Sequence, residues 1–78
     1  EKPDALILDP PRPGLTPRAR TSVLAREVPK VVYVSCNPAA MARDLKGFLA
    51  RGYRIEALVP FDFFPHPPHL EILAILSR

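Results

Sequence analysis

The chain has 78 residues, 47% of them hydrophobic and 24% charged, with a net charge of +3, which is the composition of a soluble globular protein rather than a disordered one. That length is one small domain or part of one, burying roughly 60–65% of its unfolded surface. No apolar run approaches the ~18 residues of a membrane-spanning helix, and a single cysteine excludes an internal disulfide framework and a multi-cysteine zinc site. The charged start Glu1-Lys2-Pro3-Asp4 lacks the apolar stretch of a signal peptide, so a cytoplasmic protein is expected. The basic residues are mostly arginine, which suits bidentate phosphate contacts. Of the eleven prolines, six cluster in Asp9-Pro10-Pro11-Arg12-Pro13-Gly14 and in Phe64-Pro65-His66-Pro67-Pro68-His69, two rigid turns.

Ala5-Leu6-Ile7-Leu8 is a short apolar run stopped by Asp9-Pro10-Pro11 and predicts a strand buried on both faces. Thr16 before Pro17 is a helix cap followed by proline at the first helical position. A helix is expected from Pro17 to Glu27, ended before Pro29. Val31-Val32-Tyr33-Val34, opened by Lys30, predicts a second strand that ends at Ser35-Cys36. Asn37-Pro38 repeats the cap-and-proline signal. Met41, Leu45, Phe48 and Leu49 then form an apolar helix stripe, with Arg43, Asp44, Lys46 and Arg51 on other faces. Gly52 supplies the stop. Tyr53 to Phe61 predicts a third strand, in which Ile55, Ala57 and Val59 alternate with Arg54, Glu56 and Leu58. After a proline-rich connection, Leu70 to Leu76 predicts a fourth.

The order β-α-β-α-β-β implies an α/β fold with right-handed crossovers and a parallel sheet. The last two strands have no helix between them, so they form a hairpin and the final strand runs against the others. This is half of a doubly wound sheet. The chain has three glycines and no G-x-G-x-x-G, so a dinucleotide-type loop is not part of it.

Ligands in open parallel sheets bind beyond the C-terminal strand ends. Asp9 ends the first strand there and Cys36 the second. The reversed fourth strand begins there, with His69 and Glu71. Topology thus expects Asp9, Cys36 and Glu71 on one rim. Cys36 directly precedes a helix N-terminus, whose positive end favours a thiolate; the alternative is a small buried cysteine that behaves as a hydrophobe. Glu71 lies among Leu70, Ile72 and Leu73, a setting suited to a general base, or else is an outward strand carboxylate. Asp9 is either a local cap at a rigid strand exit or a contact to substrate or cofactor. An Asp-Pro-Pro followed by an aromatic residue occurs in amino-group methyltransferases, but Arg12 stands in the aromatic position here. His66 and His69, without a companion set of ligands, make a poor zinc site, so no metal is expected.

Three motifs combine into a family pattern. Asp9-Pro10-Pro11-Arg12-Pro13-Gly14, Val34-Ser35-Cys36-Asn37-Pro38 with Ala42-Arg43-Asp44-Leu45, and Asp62-Phe63-Phe64-Pro65 with His69-Leu70-Glu71 resemble the C-terminal part of RNA 5-methyluridine methyltransferases. The resemblance runs from about Asp4 to Arg78. It implies the C-terminal half of a Rossmann-like class I methyltransferase sheet, with S-adenosylmethionine as methyl donor. It also implies tRNA or ribosomal RNA as partner, with neither membrane nor DNA expected. Cys36 looks like the nucleophile that adds to C6 of uracil, Glu71 like the base that removes the C5 proton, and Asp9 like the acidic residue at the donor site. Ala40 and Pro67 stand where the family often has Thr. On this resemblance the chain is a C-terminal segment of a longer enzyme and inactive alone. The alternative is a non-catalytic RNA-binding or structural module of the same ancestry.

Overall fold

In the computed structural model, the structure describes the backbone of residues 4–65 and 68–78, and side chains outside 62–70. The elements are β1 (Ala5–Leu8), α1 (Pro17–Ala25), β2 (Lys30–Ser35), α2 (Pro38–Ala50), β3 (Arg54–Pro65) and β4 (Pro68–Ser77). They form an α/β arrangement around a four-stranded mixed sheet of order β1-β2-β4-β3. β1 and β2 are parallel, whereas β4 runs antiparallel to both of its neighbours, β2 and β3. The expected β-α-β-α-β-β order with a reversed last strand is the one observed.

Both helices cover one face of this sheet. Alternate positions of β2 and β4, namely Val31, Tyr33, Ala74 and Leu76, join Leu24 of α1 and Met41, Leu45 and Phe48 of α2 in a single buried cluster. The period of two along a strand sends the intervening residues to the other face. There Ile7 is 74% exposed and Val32, Val34, Leu73 and Ile75 are partly buried.

The helix caps follow the local chemistry of the sequence. The Thr16 hydroxyl accepts from the Ala19 N–H at 3.1 Å and Asn37 Oδ1 from the Ala40 N–H at 3.4 Å, each followed by proline at the start of the helix. At the far end of α2, the Tyr53 N–H donates to the Phe48 carbonyl and the Gly52 N–H to the Leu49 carbonyl. Gly52 sits at φ +93°. This double bond pattern is the Schellman arrangement, which needs a left-handed residue at that point. The hydrophobic contact that accompanies it is the edge-to-face pair of Phe48 and Tyr53, with centroids 5.3 Å apart.

Besides β1, which alternates exposed and partly buried residues rather than being buried on both faces, four expectations require correction. First, α1 ends at Ala25, not Glu27. Arg26 closes its last turn and Glu27 adopts φ +52°, a left-handed conformation that stops a helix. Second, the proline-rich segment is not a long connection. β3 continues to Pro65 and β4 starts at Pro68, the two prolines being paired positions. Pro65 lies on β3, the edge strand of the described sheet, and Pro68 is the first residue of β4, two positions at which strands tolerate proline. Third, the alternation along β3 breaks. A register shift lies between Ile55 and Ala57, so Leu58 is opposite Ala74 on the helix-covered face while Val59 is opposite Leu73 on the other. Fourth, Asp44 does not lie on an outer face of α2. It is fully buried, while Leu49, placed in the apolar stripe, is 46% exposed.

Candidate functional site at the strand ends

The strand pairing determines where the three candidate side chains stand. The β2–β4 ladder ends at Ser35 opposite Ile72; Cys36 follows Ser35 in a bend and Glu71 precedes Ile72 on β4, so both stand just beyond the last pair of that ladder. The β1–β2 ladder ends at Leu8 beside Tyr33, and Asp9 is the residue that follows. Adjacent strands are about 4.8 Å apart, so three consecutive strands in the sheet order carry Asp9, Cys36 and Glu71 to the same end. Asp9 and Cys36 are exposed and Glu71 is partly buried. Glu71 is opposite Phe61 on its other side. The side chains of Asp62 and His69, and the whole of His66, lie outside the described residues, as does Pro67. Among the described residues no group of His, Cys, Asp and Glu could hold a metal ion.

Cys36 stands at the tip of a tight turn. The Ser35 hydroxyl accepts from the Asn37 N–H at 2.9 Å and donates to the Asn37 carbonyl at 3.1 Å. One hydroxyl thus ties together the residues on either side of the thiol, a turn that Ser and Thr commonly stabilise.

The loop after β1 is held from the side. Proline carries no N–H, so the loop Asp9–Gly14, with three prolines, offers mainly carbonyls to be satisfied. The Pro11 carbonyl accepts from the Gly14 N–H at 2.7 Å. The Arg12 carbonyl accepts from Asn37 Nδ2 at 2.9 Å. Arg43 Nη2 donates to the carbonyls of Pro13 at 2.8 Å and Leu15 at 3.0 Å. Two of these donors are side chains from the first turns of α2 or its cap. The helix that follows Cys36 therefore also fixes the loop that follows Asp9.

Beneath the loop lies the buried carboxylate of Asp44. It accepts from the Leu15 N–H at 2.8 Å, from Arg20 Nη1 at 3.1 Å, from Arg43, and from the Tyr33 hydroxyl. Burial opposes its ionisation, but the bonds from Leu15, Tyr33, Arg20 and Arg43 outweigh burial and hold the carboxyl below its ordinary range. The Tyr33 phenol moves the other way, raised by burial and then by its bond to the Asp44 carboxylate. Sequence reasoning passed over this network because an aspartate was assumed to face water. The spacing Met41, Asp44, Leu45, Phe48 was the available signal, since it is the i, i+3, i+4, i+7 pattern of one buried helix face. Arg20 and Arg43 serve Asp44, Arg54 pairs with Glu56 and Arg78 with Glu27, so half of the arginines make contacts within the chain.

An apolar hollow of about 210 Å³ lies between α2 and the β3–β4 pair, lined by Pro38, Met41, Ala42, Leu45, Leu58 and Ile72. It contains no titratable side chain. The acid, thiol and carboxylate groups stand at the strand ends instead.

The described residues form a mixed α/β sheet with an acidic residue and a thiol at adjacent strand ends, and in open α/β sheets ligands meet the carboxyl ends of strands. Comparison with known proteins narrows this. The family profile described as tRNA (Uracil-5-)-methyltransferase matches residues 2–78, and the chain belongs to that family. An RNA methyltransferase of Caldanaerobacter subterraneus subsp. tengcongensis is 42% identical over the whole chain, and one of Clostridium tetani is 47% identical over the same span. The chain covers 17% of the length of each of these relatives. The crystal structure of Pyrococcus abyssi tRNA (uracil-54, C5)-methyltransferase in complex with S-adenosyl-L-homocysteine superposes with a TM-score of 0.80 at 46% identity. That match covers 95% of this chain and 18% of the other.

Proposed function

We propose that this chain is the C-terminal, nucleophile-bearing segment of an S-adenosylmethionine-dependent RNA (uracil-C5)-methyltransferase, acting on tRNA or ribosomal RNA. The observation that supports the proposal is the end of the β2–β4 ladder at Ser35 and Ile72, just beyond which Cys36 and Glu71 follow on the two strands, in a chain of the uracil-5-methyltransferase family. The target base leaves its stack to reach them. The Cys36 thiolate forms a bond to C6 of uracil, and the electron pair of the C5=C6 bond moves onto C5 and the O4 enolate. S-adenosylmethionine, when bound, would supply an electrophilic methyl group on a sulfonium centre: the C5 electron pair would form the new C5–CH3 bond as the S–CH3 bond breaks and the neutral thioether leaves. Glu71 then takes the C5 proton, the C–H electron pair restores the double bond, and the thiolate of Cys36 departs. Cysteine suits both halves of this cycle, because a thiolate is a strong nucleophile at neutral pH and a competent leaving group.

What this chain offers a donor site is the exposed Asp9 carboxylate at the end of β1, an acceptor for the donor's hydroxyl and amino groups. It has no glycine-rich cradle. The complete reaction is therefore assigned to a whole protein of the relatives' length, and the 78-residue chain alone is expected to show no turnover.

The test uses that full-length protein and RNA carrying 5-fluorouridine. Fluorine at C5 is not removed as a proton is, so a covalent protein–RNA adduct accumulates, and Cys36→Ala abolishes it. With ordinary RNA, Glu71→Gln retains the adduct and slows product release about 10²- to 10⁴-fold, the usual contribution of a general base. Methylation that persists in Cys36→Ala refutes the mechanism. Absence of donor binding in the intact protein would favour a non-catalytic module instead.

A further inference from the structure

The pairing of β1 with β2 ends at Leu8 and Tyr33, so no strand ladder fixes the Asp9 loop against the turn that carries Cys36. One side chain next to the thiol spans that gap. Asn37 Nδ2 donates to the Arg12 carbonyl at 2.9 Å, while Oδ1 of the same amide accepts from the Ala40 N–H at 3.4 Å as the cap of α2. The Asn37 backbone is held in turn by the Ser35 hydroxyl on the other side of Cys36. Capping alone asks only for an acceptor, which Ser, Thr or Asp provides equally. A group that both accepts from a helix N–H and donates to a carbonyl must be an amide or a well-placed hydroxyl, and the amide's two ends reach in opposite directions.

We propose that Asn37 is a positioning residue for the uracil-methylating centre: its amide sets the spacing between the donor-side loop at Asp9 and the thiol of Cys36. This depends on the uracil chemistry proposed above. Two reacting partners delivered from different loops must meet in one geometry, and a displacement of about 1 Å is enough to lower a rate by about a hundredfold. The effect belongs in turnover, because neither the cap nor the thiol itself is altered when the Arg12 contact is lost.

Two substitutions in the full-length protein separate the roles. Asn37→Ser keeps a capping oxygen but has no donor long enough for Arg12. Asn37→Asp keeps the size and the cap but turns the donor into a second acceptor facing a carbonyl. Both should lower kcat for methyl transfer about ten- to hundredfold while leaving KM for RNA within about threefold. In Asn37→Ser, alkylation of Cys36 by iodoacetamide without RNA should stay within about threefold of the unsubstituted protein. A kcat within twofold in both variants would reduce Asn37 to a cap and overturn the proposal. Alkylation that falls in parallel with kcat in Asn37→Ser would also overturn it, since Asn37 would then govern the thiol and not the spacing. If Asn37→Ser does not fold, the isosteric Asn37→Asp carries the kcat comparison alone. Cys36→Ala distinguishes the two levels: if it still methylates, the uracil chemistry falls and this proposal with it; if it is inactive while the Asn37 variants are fully active, only the positioning role falls.

Discussion

Asp44 is the side chain on which the site's support converges, and its removal has a calculable cost. In Asp44→Ala the Leu15 N–H and the Tyr33 hydroxyl lose their acceptor. Both are buried groups, and a buried donor left without a partner costs about 1–3 kcal/mol. The two guanidinium groups fare better. The Arg20 and Arg43 side chains are 26% and 52% exposed,, so they turn to water at little cost. The sum is about 2–6 kcal/mol, with the lower part favoured if water enters the space left by the carboxylate. Native-state hydrogen exchange in the full-length protein reads this locally, at the β2 and α2 amides. With opening in pre-equilibrium, a loss of about 3 kcal/mol speeds exchange there by roughly a hundredfold. Introducing Tyr33→Phe first removes one of the stranded donors, so Asp44→Ala should cost less in that background. The pH dependence has a definite sign. A carboxyl held below its ordinary value of 3.8 stabilises the fold fully above that value and loses its contribution as pH falls further, through the folded-state value. Protection of these amides should therefore weaken below about pH 4 in the unsubstituted protein and change less in Asp44→Asn. Exchange that is unchanged in Asp44→Ala, or equally acid-sensitive with and without the carboxylate, would refute the account.

Two glycines at positive φ separate backbone strain from crowding. Gly52 sits at φ +93° with its nearest neighbour, Arg78 Nη2, 3.9 Å from where a Cβ would stand, so Gly52→Ala should cost only the left-handed penalty, about 1–2 kcal/mol. Gly14, at φ +87°, would place a Cβ 2.7 Å from both Arg43 Nη2 and Asp44 Oδ2; Gly14→Ala should cost distinctly more, and equal protection-factor losses for the two would contradict this. Thr16→Ala removes the cap of α1 and should cost about 1 kcal/mol, seen as faster exchange in α1 with β2 unaffected; an undisturbed α1 would count against the cap.

Much of the fold could be read from local patterns because those patterns obey short-range physics. The β-branched run of β2 and the Thr16-Pro17 and Asn37-Pro38 starts depend on residues within one turn of each other, and they appear where the sequence puts them. The features that escaped are those in which tertiary surroundings reverse a local preference. Asp44 reads as a surface residue by type, yet the fourfold hydrogen bonding that makes its burial tolerable comes from Leu15, Arg20, Tyr33 and Arg43, residues up to 29 positions away. Pro65 and Pro68 read as parts of a connection, yet an edge strand, as for Pro65, and the first position of a strand, as for Pro68, are places that tolerate proline. The bulge after Ile55 is invisible to periodicity because it is itself a departure from periodicity. At the candidate site, the strand-end convergence of Asp9, Cys36 and Glu71 follows from topology alone, whereas the second role of Asn37 does not. Its cap is local, and its bond to Arg12 spans 25 positions.

These separate observations share one physical cause. A loop with prolines at positions 10, 11 and 13 has few conformations to lose on folding and few N–H groups with which to anchor itself. It is stiff but not self-fastening, so its place must be set by hydrogen-bond partners from elsewhere. α2 supplies them at three levels: Asn37 at the cap takes the Arg12 carbonyl, Arg43 takes those of Pro13 and Leu15, and Asp44 takes the Leu15 N–H. The same helix begins immediately after Cys36. A shift of α2 along its axis therefore carries the thiol and the Asp9 loop together. The thiol is tied to β4 by the β2–β4 ladder, which runs up to Ser35 and Ile72, and to the Asp9 loop by these side chains.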